Sequence, residues 1–408
     1  MEDKKLVKGL SVTAIILIAM AALTMSINSS NEIMRNPQSG AGFFFVAAIA
    51  VPLLAVLIVL ASQLKSMDTL EDMMAAVTSR YAIFGWFFIF FIKTVSLALE
   101  LIIPDFYRAH FSTVYLILNS FNVCVVGTLV LLIGLRKLPK TKIEKHSLKF
   151  GQLTLLILMM YGLTQIGSVM GLPIHLALSA FSISEEGDLG TLGNLLVGSD
   201  SIVRIITVGI LPAIFEELLF RKFLIDRTIR YGEFVSCAMS GIMFGLWHGN
   251  FQQFFFAFFI GVLFSFVYIR TGRIIYTMIL HASLNVVTSS ITTNLLGKLM
   301  EAMGYDLSTG TISEPALDSA AMSKLVPLIL LTFLWIMVIA GIQIAGVILV
   351  IVKRKKFKLV AREGEPSRKT IIHTLTHNVT TWVFFSFALL LFVYYYLPDI
   401  IAFVASRF

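Results

Sequence analysis

The chain has 408 residues, of which 57% are hydrophobic and 14% are charged, and its formal net charge is +8. Soluble domains carry about 25% charged residues, so this composition excludes an ordinary soluble protein and indicates a polytopic membrane protein. The basic residues lie in short loops between apolar runs, so they are explained by membrane topology, and no nucleic-acid partner is indicated.

Apolar runs of the length that a membrane helix needs, about 20 residues, follow one another along the chain. The first follows Lys4, Lys5 and Lys8 but lacks a small-residue cleavage site, which predicts a retained helix and not a signal peptide. The fold class predicted is an all-α polytopic membrane protein. About eleven spans are predicted, at roughly 7–27, 41–62, 81–103, 111–135, 150–172, 201–226, 234–250, 251–269, 273–296, 324–352 and 379–404.

The charged loops predict an orientation. Loop 136–149 holds six Lys or Arg and one Glu, and loop 353–369 is also strongly basic, whereas 181–200 holds acidic residues and no Lys or Arg. Basic loops stay on the cytoplasmic side of a membrane. The N-terminus is therefore predicted in the cytoplasm and the C-terminus outside. The Lys-, Ile- and Phe-rich composition suggests a bacterial cell membrane.

Polar side chains that are rare inside a membrane occur in three of the predicted spans. Glu216 and Glu217 lie in the sixth span, His248 in the seventh, and His281 with Asn285 in the ninth. A charge at the bilayer centre costs at least about 2.5–3.5 kcal/mol, so such residues mark functional sites. At a rise of about 1.5 Å per residue, these groups lie roughly 12–21 Å from the cytoplasmic face and could meet in one layer.

Helical spacing separates the two glutamates. Glu217 and Arg221 are four residues apart, so they can form a structural ion pair on one helix face. Glu216 points about 100° away from that face and is free to line a cavity.

The other polar groups follow the same spacing. His281 and Asn285 project to one face, and Phe244, four residues before His248, would wall the same cavity. Each group has a simpler explanation, since an intramembrane histidine is often held by a packing hydrogen bond and an asparagine often links helices. A carboxylate and two histidines at one depth favour a site that activates water.

Three motifs carry these residues in order: E-E-L-L-F-R at 216–221, F-G-L-W-H at 244–248 and H-A-S-L-N at 281–285. They resemble the EExxxR, FxxxH and HxxxN/D signature of the CPBP family, also called Abi. That family groups type II CAAX prenyl endopeptidases with bacteriocin-processing and self-immunity proteins. The resemblance covers about 201–290 and implies a CPBP-type helical core with extra N- and C-terminal helices.

The resemblance also implies roles for the motif residues. Glu216 would be the base that activates water, and His248 would help to bind that water or a metal. His281 and Asn285 would stabilise the oxyanion of the tetrahedral intermediate. The second glutamate and the arginine of the first motif would hold the first glutamate in place.

A metal is an open alternative to metal-free catalysis. Glu216, His248 and His281 would give three ligands and one open position to a divalent metal such as zinc. The chain has no HExxH helix, which excludes an ordinary zincin. A glutamate-activated water with donors for the oxyanion needs no cofactor.

Three parts are predicted along the chain: N-terminal transmembrane helices over 1–149, a CPBP-like protease core over 150–300, and C-terminal helices over 301–408 with a basic cytoplasmic loop at 353–377. The function predicted is an intramembrane endopeptidase that hydrolyses a peptide bond in a membrane-associated peptide or protein. The alternative is a non-enzymatic membrane immunity factor, chaperone or scaffold, because much of the chain lies outside the core. The sequence leaves the oligomeric state open.

Overall fold

The structure is a computed structural model that describes residues 51, 54–179, 190–306, 311–312, 319–361, 365–389 and 391–392. The first predicted span lies outside the described residues, as do parts of the second and the last. Successive helices of the described chain are joined by loops or tight turns, and most of the long ones pack on several others.

The described chain is helical almost throughout. Its helices are α1 (Leu54–Gln63), α2 (Leu70–Ile102), α3 (Pro104–Ala109), α4 (Phe111–Leu135), α5 (Phe150–Ser179), α6 (Gly190–Val197), α7 (201–231), α8 (Glu233–Trp247), α9 (Phe251–Thr271), α10 (Ile274–Ala302), α11 (Ser319–Lys353), α12 (Arg368–His377) and α13 (Val379–Leu389). Strands in the described residues are limited to one antiparallel pair of two-residue strands, β1 (Tyr305–Asp306) and β2 (Thr311–Ile312).

Six of the described helices are long and apolar enough to cross a membrane, namely α2, α4, α5, α9, α10 and α11. Helices α1, α8 and α13 are shorter and apolar. Helix α7, which carries the two adjacent glutamates, is not one of the six. The all-α polytopic membrane fold is confirmed, and the count of eleven spans stays a prediction.

Helix α7 is irregular on both sides of the glutamates. The α-helical segment Leu211–Glu217 is flanked by the π-helical turns Ile205–Ile210 and Leu218–Phe223. A third π-turn, Asn122–Gly127 in α4, lies against this segment. Each π-turn holds one residue more than a regular turn and so rotates the helix face that follows it. The turn before the glutamates therefore sets the direction in which they point, and the turn after them sets the direction of Arg221.

Glycines bring three long helices into backbone contact. A Cβ atom on Gly162 of α5 would collide with the backbone of Gly346 in α11, and one on Gly167 would collide with the backbone of Phe256 in α9. Small residues permit such close approach where no hydrophobic effect drives helices together. Helix α5 is thereby held between α9 and α11.

Two buried arginines gather several helix ends at one end of the bundle. Arg80 donates to the carbonyl oxygens of Ala61, near the end of α1, and Gly134, near the end of α4, at 2.9 and 2.8 Å. Arg227 of α7 donates to the last carbonyl of α4 at 2.8 Å. Carbonyls at helix C-termini have no partner within their own helix. We call this end, where loop 136–149 also lies, the basic end.

One apolar core runs through the bundle. It takes buried residues from α1, α2, α4, α5, α7 to α10, α12 and α13. The predicted N-terminal, central and C-terminal parts all contribute to it, and their boundaries stay a prediction.

Candidate active site

The ion pair predicted between Glu217 and Arg221 is present. Oε2 of Glu217 lies 3.2 Å from Nε of Arg221, and both side chains are fully buried. The guanidinium carbon also lies 4.4 and 5.3 Å from the ring centroids of Phe244 and Phe264. None of the three guanidinium nitrogens has a hydrogen-bond partner in the described part of the chain. One carboxylate and two ring faces therefore balance this buried charge.

His281 connects the two glutamates. Its Nδ1 lies 3.0 Å from Oε1 of Glu217, and its Nε2 lies 3.8 Å from Oε2 of Glu216. Because an ionised carboxylate only accepts hydrogen bonds, we assign the ring hydrogen to Nδ1. The contact joins α7 to α10 across 64 residues of sequence. Sequence reasoning grouped His281 with Asn285 and missed its bond to Glu217.

Glu216 is the glutamate with an open carboxylate. Its side chain is 13% exposed, whereas that of Glu217 is 0% exposed. Within the described residues, its only polar contact at 4 Å or less is with Nε2 of His281. Glu216 can therefore accept a hydrogen bond from a molecule that enters the site.

His248 ends α8 at a tight turn. Its Nδ1 lies 2.8 Å from the carbonyl oxygen of Phe244, so Nδ1 donates and Nε2 is left as an acceptor. Gly249 adopts φ 68°, a conformation that favours glycine, and Asn250 donates to the carbonyl of His248 at 3.0 Å. Asn250 was not predicted as a site residue, although the Gly-Asn pair after the histidine is a turn signal.

Asn285 bonds to a backbone carbonyl of α7. Its Nδ2 donates to the carbonyl oxygen of Val208 at 3.0 Å. Pro212, four residues further along α7, has no N–H to donate to that carbonyl. Asn285 thus links α10 to α7, and it shares with His281 a face that turns to α7, as their spacing predicts.

Phe244 lies at the centre of the cluster. It is fully buried, and its ring centroid lies 5.0 Å from that of His248 and 5.7 Å from that of His281, with nearly perpendicular planes. The guanidinium of Arg221 covers it as well. The residue predicted as a wall therefore keeps both histidines and the arginine apart at fixed positions.

Helix α2, far from the motifs in sequence, braces the site. The hydroxyl of Tyr81 donates to the carbonyl of Leu219, two residues after Glu217. Phe84 stacks on Trp247 with ring centroids 4.4 Å apart. Sequence reasoning missed these residues because an aromatic side chain in an apolar span carries no chemical signature.

The predicted metal ligands do not fit a metal centre as they stand. In the described residues, no group of three or more His, Cys, Asp or Glu side chains could hold a metal ion. Nδ1 of His281 and Nδ1 of His248 contact Glu217 and the carbonyl of Phe244, so each ring has only Nε2 left for a ligand. We derive no catalytic step through a metal.

Comparison with known families adds one match. Residues 198–287 match the family model described as type II CAAX prenyl endopeptidase Rce1-like. The matched segment is under a quarter of the chain and contains all three motifs. No curated protein and no solved structure matches the chain. The resemblance predicted from the motifs is therefore confirmed, and residues 198–287 form an Rce1-like segment within a multi-pass integral membrane protein.

Proposed function

We propose that the protein is an intramembrane endopeptidase that hydrolyses a peptide bond in a membrane-associated peptide or protein. The Rce1-like segment supports the peptidase class, and the six apolar helices support action within a bilayer. The observation that carries the proposal is the open carboxylate of Glu216, 3.8 Å from Nε2 of His281, beside a fully buried ion pair.

Glu216 acts as the general base in this mechanism. It accepts a proton from a water molecule while that water attacks the scissile carbonyl carbon. When the tetrahedral intermediate collapses, the C–N bond breaks and Glu216 passes that proton to the leaving amine nitrogen. His248 turns its Nε2, which lacks a hydrogen, to the same water and accepts its other hydrogen bond. A positioned base of this kind contributes typically about 10²–10⁴-fold to the rate.

His281 and Asn285 stabilise the developing oxyanion. The amide of Asn285 carries two hydrogens, and its bond to Val208 uses one of them. His281 donates from Nε2 when its ring is protonated, and Glu217 at Nδ1 stabilises that positive charge. The ion pair with Arg221 fixes Glu217, so the carboxylate that orients the histidine cannot rotate away.

The experiment is a cleavage assay in proteoliposomes. The substrates are fluorogenic peptides that end in a CAAX sequence, with the cysteine either prenylated or free. Wild-type protein is expected to cleave at least one of them, and Glu216→Gln is expected to lower the rate by at least about 100-fold. Glu301→Gln removes an exposed carboxylate at the far end of α10 and is the matched control.

Three outcomes decide the proposal. Full activity in Glu216→Gln would contradict the base assignment. Loss of wild-type activity in a chelator, with recovery on adding zinc, would replace the metal-free mechanism. Absence of cleavage of both peptides and of membrane-protein substrates by folded protein would contradict the peptidase function.

A non-enzymatic role is the second candidate. It is favoured by the contacts of His281 and Arg221 with Glu217, which hold α7 and α10 together whether or not chemistry occurs. An immunity factor, chaperone or scaffold would use the cluster for that purpose alone. Such a protein would keep its cellular phenotype in Glu216→Gln and lose it in Glu217→Ala.

A further inference from the structure

The basic end carries two lysine-rich segments that are far apart in sequence. Lysines of loop 136–149 and of segment 353–361 point away from the protein and are exposed. We refer to six of them as the basic surface: Lys140, Lys142, Lys145, Lys355, Lys356 and Lys358.

Loop 136–149 is fixed to the protein although it is not helical. The backbone N–H of Thr141 donates to the carbonyl of Asp226 at 2.6 Å, and that of His146 donates to the carbonyl of Thr271 at 2.8 Å. The side chain of Tyr276 accepts from a third backbone N–H of the loop at 3.0 Å. These bonds hold the loop across the ends of α7, α9 and α10.

The second segment is fixed to the same helix ends. Arg270 pairs with both carboxylate oxygens of Glu233 at 2.6 and 2.7 Å and donates to the carbonyl of Lys358 at 2.8 Å. Glu233 accepts from the backbone N–H of Val360 at 2.7 Å. The ion pair of Arg270 and Glu233 therefore fixes the segment to the end of α9 and the start of α8.

Both segments meet on one small apolar cluster. Ile143 of the loop and Leu359 of the second segment pack against buried residues of α7, α8 and α9: Ile225, Ile229, Cys237, Tyr268 and Ile269. Lys142 and Lys358 are the sequence neighbours of these two anchors. The cluster therefore joins the lysines of both segments into one surface.

The acidic groups at this end are largely neutralised within the protein. Asp226 pairs with Lys222 at 2.6 Å, and Glu233 pairs with Arg270. In the part of the chain that the structure describes, no lysine of the basic surface forms an ion pair. The surface thus presents six lysines outside any ion pair, beside one exposed carboxylate, Glu144, which lies 3.7 Å from His146.

The position of the basic surface indicates which class of molecule it binds. Exposed apolar residues flank the two lysine-rich segments along the chain, with Phe150 86% exposed at the start of α5 and Val352 64% exposed near the end of α11. In membrane proteins, exposed apolar residues are followed by basic residues at the boundary between the lipid acyl chains and the headgroups. Basic clusters at this level attract anionic phospholipids.

We propose that the basic surface binds the headgroups of anionic phospholipids. The lysines of the two segments together neutralise the lipid phosphates, and the anchors Ile143 and Leu359 keep the charges in place. This binding is independent of the peptidase function proposed above, because its lysines lie at the helix ends and take no part in the catalytic cluster.

The test is the melting temperature of the full chain in detergent micelles doped with phosphatidylglycerol or with phosphatidylcholine. We expect a rise with phosphatidylglycerol only, and we expect about 0.5 M NaCl to abolish it, because salt screens exposed charges. The double variant Lys142→Gln with Lys358→Gln should lose at least half of the rise. The control, Lys298→Gln with Lys324→Gln, changes two exposed lysines at the opposite ends of α10 and α11 and should keep it.

Native mass spectrometry gives a second readout. The wild-type chain should retain more bound phosphatidylglycerol molecules than the Lys142/Lys358 variant. Equal numbers of bound lipid molecules in the two proteins would overturn the proposal. An equal rise with phosphatidylcholine, a rise reproduced by inorganic phosphate, or a rise that persists at high salt would also overturn it. If the double variant fails to fold, the salt and lipid comparisons on the wild-type chain still decide.

Discussion

Arg221 has an unusual balance of interactions for a buried charge. It faces one carboxylate at 3.2 Å and two aromatic rings, and its nitrogens make no hydrogen bond to a described residue. A buried charge that loses its only counter-charge is strongly destabilising, whereas replacing both charges with apolar groups is often tolerated. Glu217 and Glu216 are adjacent in sequence but should therefore respond differently to substitution.

Glu217→Ala is expected to lower the free energy of unfolding by about 3–5 kcal/mol, because Arg221 is left unpaired. The double variant Glu217→Met with Arg221→Met should recover much of that loss. Equilibrium unfolding in mixed micelles measures both values. Glu216→Ala is the control, with a smaller expected loss, and an equal loss in both glutamate variants would show that this division is wrong.

Spacing within one helix was enough to predict the Glu217–Arg221 pair and the shared face of His281 and Asn285. The bond between His281 and Glu217 could not be predicted, because it depends on how α7 and α10 cross. The sequence does contain an indication, namely Pro212, of the backbone partner of Asn285. Pro212 supplies no N–H to the turn before it, and a carbonyl without a backbone donor needs another partner.

At the scale of the element, α7 departs from regular helical geometry on both sides of the two glutamates. Two π-turns and Pro212 surround the glutamates, and Asn285 of α10 donates to the carbonyl of Val208 within this irregular stretch. Apolar periodicity assumes a constant number of residues per helical turn. It therefore predicts where the span lies but not where the π-turns lie. The presence of the six long apolar helices was predictable, but the direction of the faces beyond each π-turn was not.

A double-mutant cycle tests this arrangement. Asn285→Leu should cost about 1 kcal/mol, because it removes the donor to the part-buried carbonyl of Val208. In the Pro212→Ala background, the new N–H at position 212 can bond to that carbonyl, so Asn285→Leu should cost less. Unfolding free energies of the four proteins give the coupling, and strictly additive effects would contradict the proline–asparagine link.

At the scale of the whole molecule, the Rce1-like segment is not structurally separate from the helices around it. Tyr81 and Phe84 of α2 contact residues beside the site, and Phe387 of α13 lies against Trp247 with ring centroids 6.3 Å apart. The apolar core is shared by helices before, within and after residues 198–287. The extra helices therefore help to shape the site as well as to surround it.

Co-expression of two fragments, 1–145 and 146–408, tests this integration. The fragments are expected to co-purify, because their interface includes the contact of Phe84 with Trp247 and the bond of Arg227 to the last carbonyl of α4. Phe84→Ala should lower the yield of the complex, and Phe106→Ala, on the exposed face of α3, should leave it unchanged. Recovery of two separate, folded fragments would contradict the shared core.

The position of Trp247 has an optical consequence. Its indole is half-buried directly before His248, stacked on Phe84 and edged by Phe88 at 5.0 Å between ring centroids. Indole emission moves to longer wavelength when water replaces such packing. A separation of α2 from α8 would therefore change the fluorescence of this residue, so the chain contains its own reporter of contact between the N-terminal helices and the site.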